Sequence, residues 1–325
     1  MLAIRGAIAA HTRKAEDARA LLEVAVAAAQ STDDAASLGY ALDSFGRACM
    51  HSTDIAAARS CFASALEVAA EAGDKQERAA ALLGMGWASL RAADSVQAKG
   101  LFVEANLVAT EAADEGTISE TELFLGELNA DGGDAREGKK RMDRGLAIAR
   151  SIGSPFHQAR AWATFGRTAV RSGNHPQAEK HFQKASAIAG EAGFWFIQAR
   201  SLLTWSKSLI ETGDLAKAGQ LLEDTLYLAR EFDDWEAIGQ ALYAMGRIAQ
   251  EQGYEDKAAG LHHEALALRA HIGHRAGVAE SLDALAGLLA KNRADVAARL
   301  LGAATTMKEQ AAGATDTEAC PCCQG

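Results

Sequence analysis

Apolar residues along this chain recur at spacings of three and four, with polar residues between them. That is the periodicity of amphipathic helices and not of strands. The sharpest instance is a triplet in which a small residue is followed by a large one at i+4 and a small one at i+7, all on one helical face. It reads Ala18, Leu22, Ala25, and returns every 40 residues as Ala58, Phe62, Ala65; Ala98, Phe102, Ala105; Gly138, Met142, Gly145; Ala178, Phe182, Ala185; Ala218, Leu222, Thr225; and Ala258, His262, Ala265. Twelve residues before each first member stands another small residue: Gly6, Gly46, Gly86, Gly126, Gly166, Ser206 and Gly246, with Ala286 next in the series. A glycine inside a helix costs about 0.5–1 kcal/mol relative to alanine, so its recurrence requires a packing reason. Two helices crossing too closely for a side chain between them supply that reason.

Turn signals divide each repeat in two. Gly133-Asp134, Gly173-Asn174 and Gly213-Asp214 end one helix with a glycine and begin the next with a capping side chain, and Asp54 and Asp94 hold equivalent places. A second punctuation falls about twenty residues on, at Gly73-Asp74, Gly153-Ser154, Gly193 and Gly273. Pro155 and Pro176 lie near helix starts, where a missing N–H is harmless. Each repeat is therefore helix, turn, helix, turn. The last copy is one residue shorter in its internal turn, which puts Ala297 where Ala178 stands in its own copy. About eight such pairs form one continuous array over residues 1–310, and residues 311–325 are expected to be a flexible tail.

Composition sharpens this picture. The 325 residues include 74 alanines but only three prolines and four tyrosines, which favours helix and argues against a β-rich fold. The net charge of −10 and a pI of about 5.4 argue against a general binder of nucleic acid or anionic membrane. No apolar run approaches the roughly 18 residues of a membrane span. Residues Met1 to His11 read as an amphipathic helix and not as a signal peptide. Only Cys49 and Cys61 lie in the body of the chain, which is no disulfide framework and fits a reducing cytoplasm.

Trp162-x2-Phe165-Gly166 followed by Ala178-x3-Phe182-x2-Ala185 resembles the tetratricopeptide repeat (TPR) signature, as does Leu42-x2-Phe45-Gly46 followed by Ala58-x3-Phe62-x2-Ala65. The period of 40 exceeds the usual 34 and lies nearer the HEAT and armadillo range. The ordered small–large–small spacing favours TPR, with a HEAT-like solenoid as the alternative. The resemblance implies an all-α, right-handed α-solenoid of about eight helix pairs. A narrower likeness, in Leu285-Ala286-Gly287 and in Ala297 to Ala304, is to the last repeats of large actinobacterial ATP-binding regulators of the LuxR type. It implies a sensory or partner-binding arm, although neither the ATPase nor the DNA-binding domain of such regulators is visible.

Motifs that bear on chemistry have plainer readings. Gly133-Asp134-Ala135-Arg136-Glu137-Gly138-Lys139-Lys140 superficially resembles a phosphate loop, but lacks the final Ser or Thr and follows a helix instead of a strand. Gly84-Met85-Gly86 lies inside a helix and is no dinucleotide loop. His262-His263 and His271-x2-His274 bring no matching carboxylates, so ordinary packing and surface roles are expected. No cofactor and no catalytic set is read, and the chain is expected not to be an enzyme. Cys320, Cys322 and Cys323 in the tail are candidates for thiol modification or soft-metal binding, against the plainer reading of a terminus without a role.

In TPR proteins the first helix of each pair lines a concave groove. Carried onto this period, the resemblance places Arg160, Arg167 and Arg171 in that groove from one repeat, Arg200 and Lys207 from the next, then Arg247; the equivalent residues of the preceding repeat are Glu120, Glu127 and Asp131. The expectation is a groove acidic in one part and basic in the next, binding an extended peptide or partner helix, with arginine favouring bidentate contacts to carboxylates. The alternative is a solvated face with ion pairs inside each repeat, each worth about 0.2–0.5 kcal/mol. The Asn required by the carboxylate clamp of chaperone-binding TPRs is missing; residues such as Ser44 and Thr164 stand there. Phe194-Trp195-Phe196 and Trp235 are expected to pack between repeats. The whole reads as a regulatory scaffold for a protein or peptide partner, able to self-associate as a homodimer or end to end, with no nucleic-acid or membrane partner. The alternatives are the small-molecule or signal-peptide receptor arm of a transcription regulator, or a scaffold that presents the cysteine-rich tail.

Overall fold

A computed structural model describes residues 15–32, 34–51 and 54–313. Gly6 and the tail cysteines Cys320, Cys322 and Cys323 lie outside the described residues. The described chain is all-helical: α1 (Ala15–Thr32), α2 (Ala35–His51), α3 (Ile55–Ala72), α4 (Lys75–Arg91), α5 (Ser95–Glu111), α6 (Glu115–Asp131), α7 (Ala135–Ser151), α8 (Pro155–Arg171), α9 (His175–Glu191), α10 (Trp195–Thr212), α11 (Leu215–Glu231), α12 (Trp235–Glu251), α13 (Glu255–His271), α14 (Arg275–Leu289) and α15 (Ala294–Gly313). It falls into two compact units, one ending at Ser201 and the other beginning at Leu202.

The helices start where they do because a side chain at every twentieth residue accepts an otherwise orphaned backbone N–H. Asp54, Asp74, Asp94, Asp114 and Asp134 do so in turn, followed by Ser154 and Asn174, and by Asp214 and Asp234. The residue before the cap swings into the left-handed region, usually as glycine (Gly133 has φ 92°), but as Ala93, Ala113 and Asp233 at three turns. Pro155 and Pro176 sit in the first turns of α8 and α9. The rule lapses at Tyr254 and His274, which occupy cap positions without a capping hydrogen bond.

In the first unit the two helices of each pair are locked by the residues of the repeat. A methyl group built on Gly46 would stand 2.6 Å from the Phe62 ring, one on Gly86 2.5 Å from Phe102, and one on Gly166 2.6 Å from Phe182. Each ring thus sets an edge against bare backbone and is fully buried or nearly so. Phe62 is held from both sides, because Gly84 of the next repeat also lies against it. Gly84 and Gly86, which resembled a nucleotide loop, are two seats for two phenylalanines. Phe194 and Phe196 meet Phe156 at ring distances of 5.4 and 6.2 Å, so these junction aromatics pack between repeats.

The second unit repeats the device with α12 on α13 and α14 on α15. Ala297 and Ala304 are buried, as the shortened last turn requires. In α13 the large position is His262, seated on Gly246 as phenylalanines are elsewhere, fully buried, with both ring nitrogens lacking a hydrogen-bond partner. Burial, with Arg269 and Arg247 nearby, holds its pKa down at about 4, and the Tyr243 ring packs 5.2 Å away. Trp235 departs from its equivalents and is 46% exposed.

Two outcomes follow for the second unit. A histidine neutral in the fold but protonated when unfolded makes stability fall as pH drops from about 6.5 towards 4. His262→Phe should raise the melting temperature at pH 7 and flatten that acid decline, as followed by circular dichroism across pH. Tyr254→Asp should add roughly 1 kcal/mol by supplying the missing cap, as read by urea denaturation.

Candidate partner-binding surface

The first helices of successive repeats (α2, α4, α6 and α8) touch their next neighbours within the first unit. Residues 40 apart occupy equivalent places on adjacent helices of this kind, so the acidic positions of α6 lie beside the basic positions of α8. Arg160 Nη1 lies 3.0 Å from Glu120 Oε2. Arg167 grips Glu127 with two hydrogen bonds of 3.0 and 2.8 Å, from Nε and Nη2. Arg171 spans two carboxylates, donating to Glu127 Oε1 at 2.6 Å and standing 2.8 Å from Asp131 Oδ1. His157 Nε2 lies 3.5 Å from Glu120. The blocks expected to be separate acidic and basic stretches are thus stitched together across the repeat boundary, and the pairs join repeats instead of lying within them.

Burial gives these pairs their electrostatic character. Desolvation pushes the Glu127 carboxyl up, but Arg167 and Arg171 outweigh it and hold the pKa at about 2. Glu120 behaves likewise: burial opposes its charge, and Arg160, with help from His157 and Arg47, keeps it well below the usual carboxylate range. The guanidinium groups are less enclosed than the acids they hold, with the Arg167 and Arg171 side chains 35% and 42% exposed against 13% for Glu127.

The same face extends to residues that sequence reasoning passed over. On α2, Arg47 Nε donates to Asp43 Oδ2 at 2.7 Å. Arg47 holds the repeat position of Arg167, Lys207 and Arg247, so the rule that selected those three selects it too. Glu77 of α4 packs over Gly39 of α2, where a methyl group would meet its Cγ at 2.9 Å. Glu77 Oε1 and Asp43 Oδ1 are buried oxygens without hydrogen-bond partners. Burial and then the nearby Asp43 push the Glu77 carboxyl up to about 8, against the opposing pull of Arg47.

The remaining sequence-selected residues are more dispersed. Arg200 is half-buried on α10. In the second unit, Lys207 Nζ reaches Gln240 Oε1 of α12 at 2.8 Å, and Arg247 is 43% exposed and 3.9 Å from Glu251 of its own helix. The phosphate-loop-like run is the turn between α6 and α7, where the Asp134 side chain already accepts the Glu137 N–H. Among the described residues no group of three or more His, Cys, Asp or Glu side chains is placed to hold a metal ion, and no helix is long and apolar enough to cross a membrane.

Residues 117–191 match the tetratricopeptide repeat family. Solved structures agree with that reading at the level of fold. The Rap conjugation gene regulator of the plasmid pLS20, in complex with the Phr* peptide, is 16% identical with a TM-score of 0.64, covering 87% of this chain and 77% of its own. Aspartyl phosphate phosphatase F from Bacillus subtilis is 13% identical with a TM-score of 0.61, covering 93% and 78%. A signal transduction ATPase with a tetratricopeptide repeat sensor, from Pyrococcus horikoshii, is 16% identical with a TM-score of 0.58; 91% of this chain matches 47% of that one. None of the curated proteins compared with the chain matches it. The helix pairs of both units are TPR-like, and three such different names on one fold show that the fold does not choose the function.

A carboxyl protonated in the fold and ionised when unfolded favours the folded state at low pH. Stability should therefore fall as pH rises from about 4.5 through 8 on account of Glu77. Glu77→Gln should remove that decline, measured as the melting temperature between pH 5 and 9.

Proposed function

We propose that this chain is a non-catalytic regulatory module that binds a protein or an extended peptide on the face formed by the first helices of its repeats. One observation carries the reading: the pairs at a spacing of 40 residues hold half-exposed guanidinium groups in fixed orientations. Arg167 and Arg171 are anchored by Glu127 and Asp131, and each side chain is still more than a third exposed. A partner carboxylate meeting such a group gains a directed hydrogen bond without the cost of ordering a free side chain. The named complex of the Rap regulator with the Phr* peptide supports peptide as the partner class. The likeness to the sensor-bearing signal transduction ATPase supports a second reading, a receptor arm of a larger regulator that answers a small signal.

Capture from a native lysate, followed by affinity measurement with the identified partner, tests the first reading. Arg171→Ala, at a side chain more than two-fifths exposed, should leave the melting temperature within a few degrees and weaken the partner by about tenfold or more. Unchanged affinity would remove this face from the interaction. A thermal shift with a small metabolite, and no captured protein, would favour the receptor arm.

A further inference from the structure

A second recognition feature adjoins the end of the row of paired charges, and the irregular fourth repeat creates it. In α7 the triplet reads Gly138, Met142, Gly145 where other repeats carry alanine or threonine about a large residue. The two glycines draw α7 against α6, backbone to backbone. A methyl on Gly138 would stand 2.7 Å from the Gly126 carbonyl oxygen, and one on Gly145 2.9 Å from that of Ser119. Ser119 Oγ donates to the Gly145 carbonyl at 2.9 Å and fixes the approach. Pulled towards α6, α7 packs less fully on α8 of the next repeat.

The space left behind is an open cleft of about 920 Å³ between α7 and the α8–α9 pair. Its apolar wall is made of Met142, Leu146, Trp162 and Phe165. This wall is rigid: Trp162 stacks on His181 at 5.3 Å, and Phe165 packs on the same imidazole at 5.4 Å. His181 Nδ1 is buried there without a hydrogen-bond partner. The volume is that of a ligand site and not of a packing fault.

The charge around the cleft identifies the class of occupant. In a chain of net charge −10, α7 carries six basic and only two acidic residues. The charges on the cleft lining itself are paired off, Lys139 with Asp143 at 2.6 Å and Arg171 with Asp131 at 2.8 Å, so the excess of cations comes from the border around Trp162. Lys184 Nζ stands 4.2 Å from the centre of the Trp162 ring, and Arg150 Cζ 5.7 Å from it. An apolar, aromatic-walled slot bordered by cations matches a large apolar side chain flanked by carboxylates.

We propose that the cleft between α7 and the α8–α9 pair binds an acidic segment of a partner protein, seating one of its aromatic or leucine side chains against Trp162, Phe165 and Met142. Lys184 and Arg150, beside the Trp162 ring, receive the flanking carboxylates. The cleft shares Asp131 and Arg171 with the paired-charge face of the proposed function, but its apolar wall belongs to other residues, and the proposal does not depend on that reading.

The test uses the full chain and fluorescein-labelled twelve-residue peptides rich in Asp and Glu, with Phe, Leu or Ala at the centre, read by anisotropy. The Phe and Leu peptides should bind roughly tenfold or more tightly than the Ala peptide. Ala135→Trp, at an exposed position lining the cleft, should block them without disturbing the core, to be verified by circular dichroism. Arg150→Glu with Lys184→Glu, both exposed, should weaken binding at low salt and reduce its salt dependence. Equal binding of all three peptides, or binding unaffected by both variants, would overturn the proposal. So would an absence of peptide binding alongside tight binding of the anionic dye 1-anilinonaphthalene-8-sulfonate, which would assign the cleft to a small aromatic anion.

Discussion

An aromatic ring lying on the bare backbone of a facing helix is the contact from which the rest of the first unit follows. Phe62 on Gly46, Phe102 on Gly86 and Phe182 on Gly166 fix how close two helices come and at what register. The seat is intolerant, because an added methyl would overlap the ring and a smaller knob would leave a void at the centre of the pair. A glycine in mid-helix is otherwise a loss of helix stability, so the burial of the ring must outweigh it. Caps at twenty-residue intervals then fix where each helix can begin, and the two constraints leave little freedom in the pair.

That register has an electrostatic consequence. Because equivalent helices lie side by side, sequence positions 40 apart become neighbours, and charge differences between repeats become ion pairs. Glu120 with Arg160, Glu127 with Arg167 and Asp131 with Arg171 are the same relation written three times. Around them, burial decides the protonation states. Carboxyls facing guanidinium groups are held ionised, whereas Glu77, beside another carboxyl, is driven neutral. The TPR-like fold supplies the spacing, and the residues that vary between repeats supply the chemistry.

Much of this was legible in the sequence, because the signals are local and repeated. The ring seats, the caps and the turns each depend on residues within one helix pair or one turn, and repetition separates them from chance. The candidate charges were legible as positions, but their mutual pairing required the distance between adjacent repeats. Arg47 carried the same positional mark as Arg167 and was overlooked, and the neutral state of Glu77 depends on burial that no spacing reveals. The cleft beside α7 was hidden for a different reason. Its sequence signal was a departure, Gly138 and Gly145 in place of alanines, in a stretch that first drew attention for its resemblance to a phosphate loop. Only the approach of α7 to α6 turns that departure into a cavity.

The spacing of 40 between paired charges also limits how this chain can change length. Removing or adding one whole repeat would preserve the ring seats inside the pairs, since the glycine under Phe62, Phe102 and Phe182 recurs at the same position. The charge row has no such freedom. Loss of the 40 residues ending just before Arg167 would set that guanidinium beside Trp87 in place of Glu127, with an unchanged backbone underneath. Recombination between repeats can thus rewrite the recognition face in a single step while the scaffold persists, and the paired charges mark the stretch where the number of repeats is fixed by more than packing.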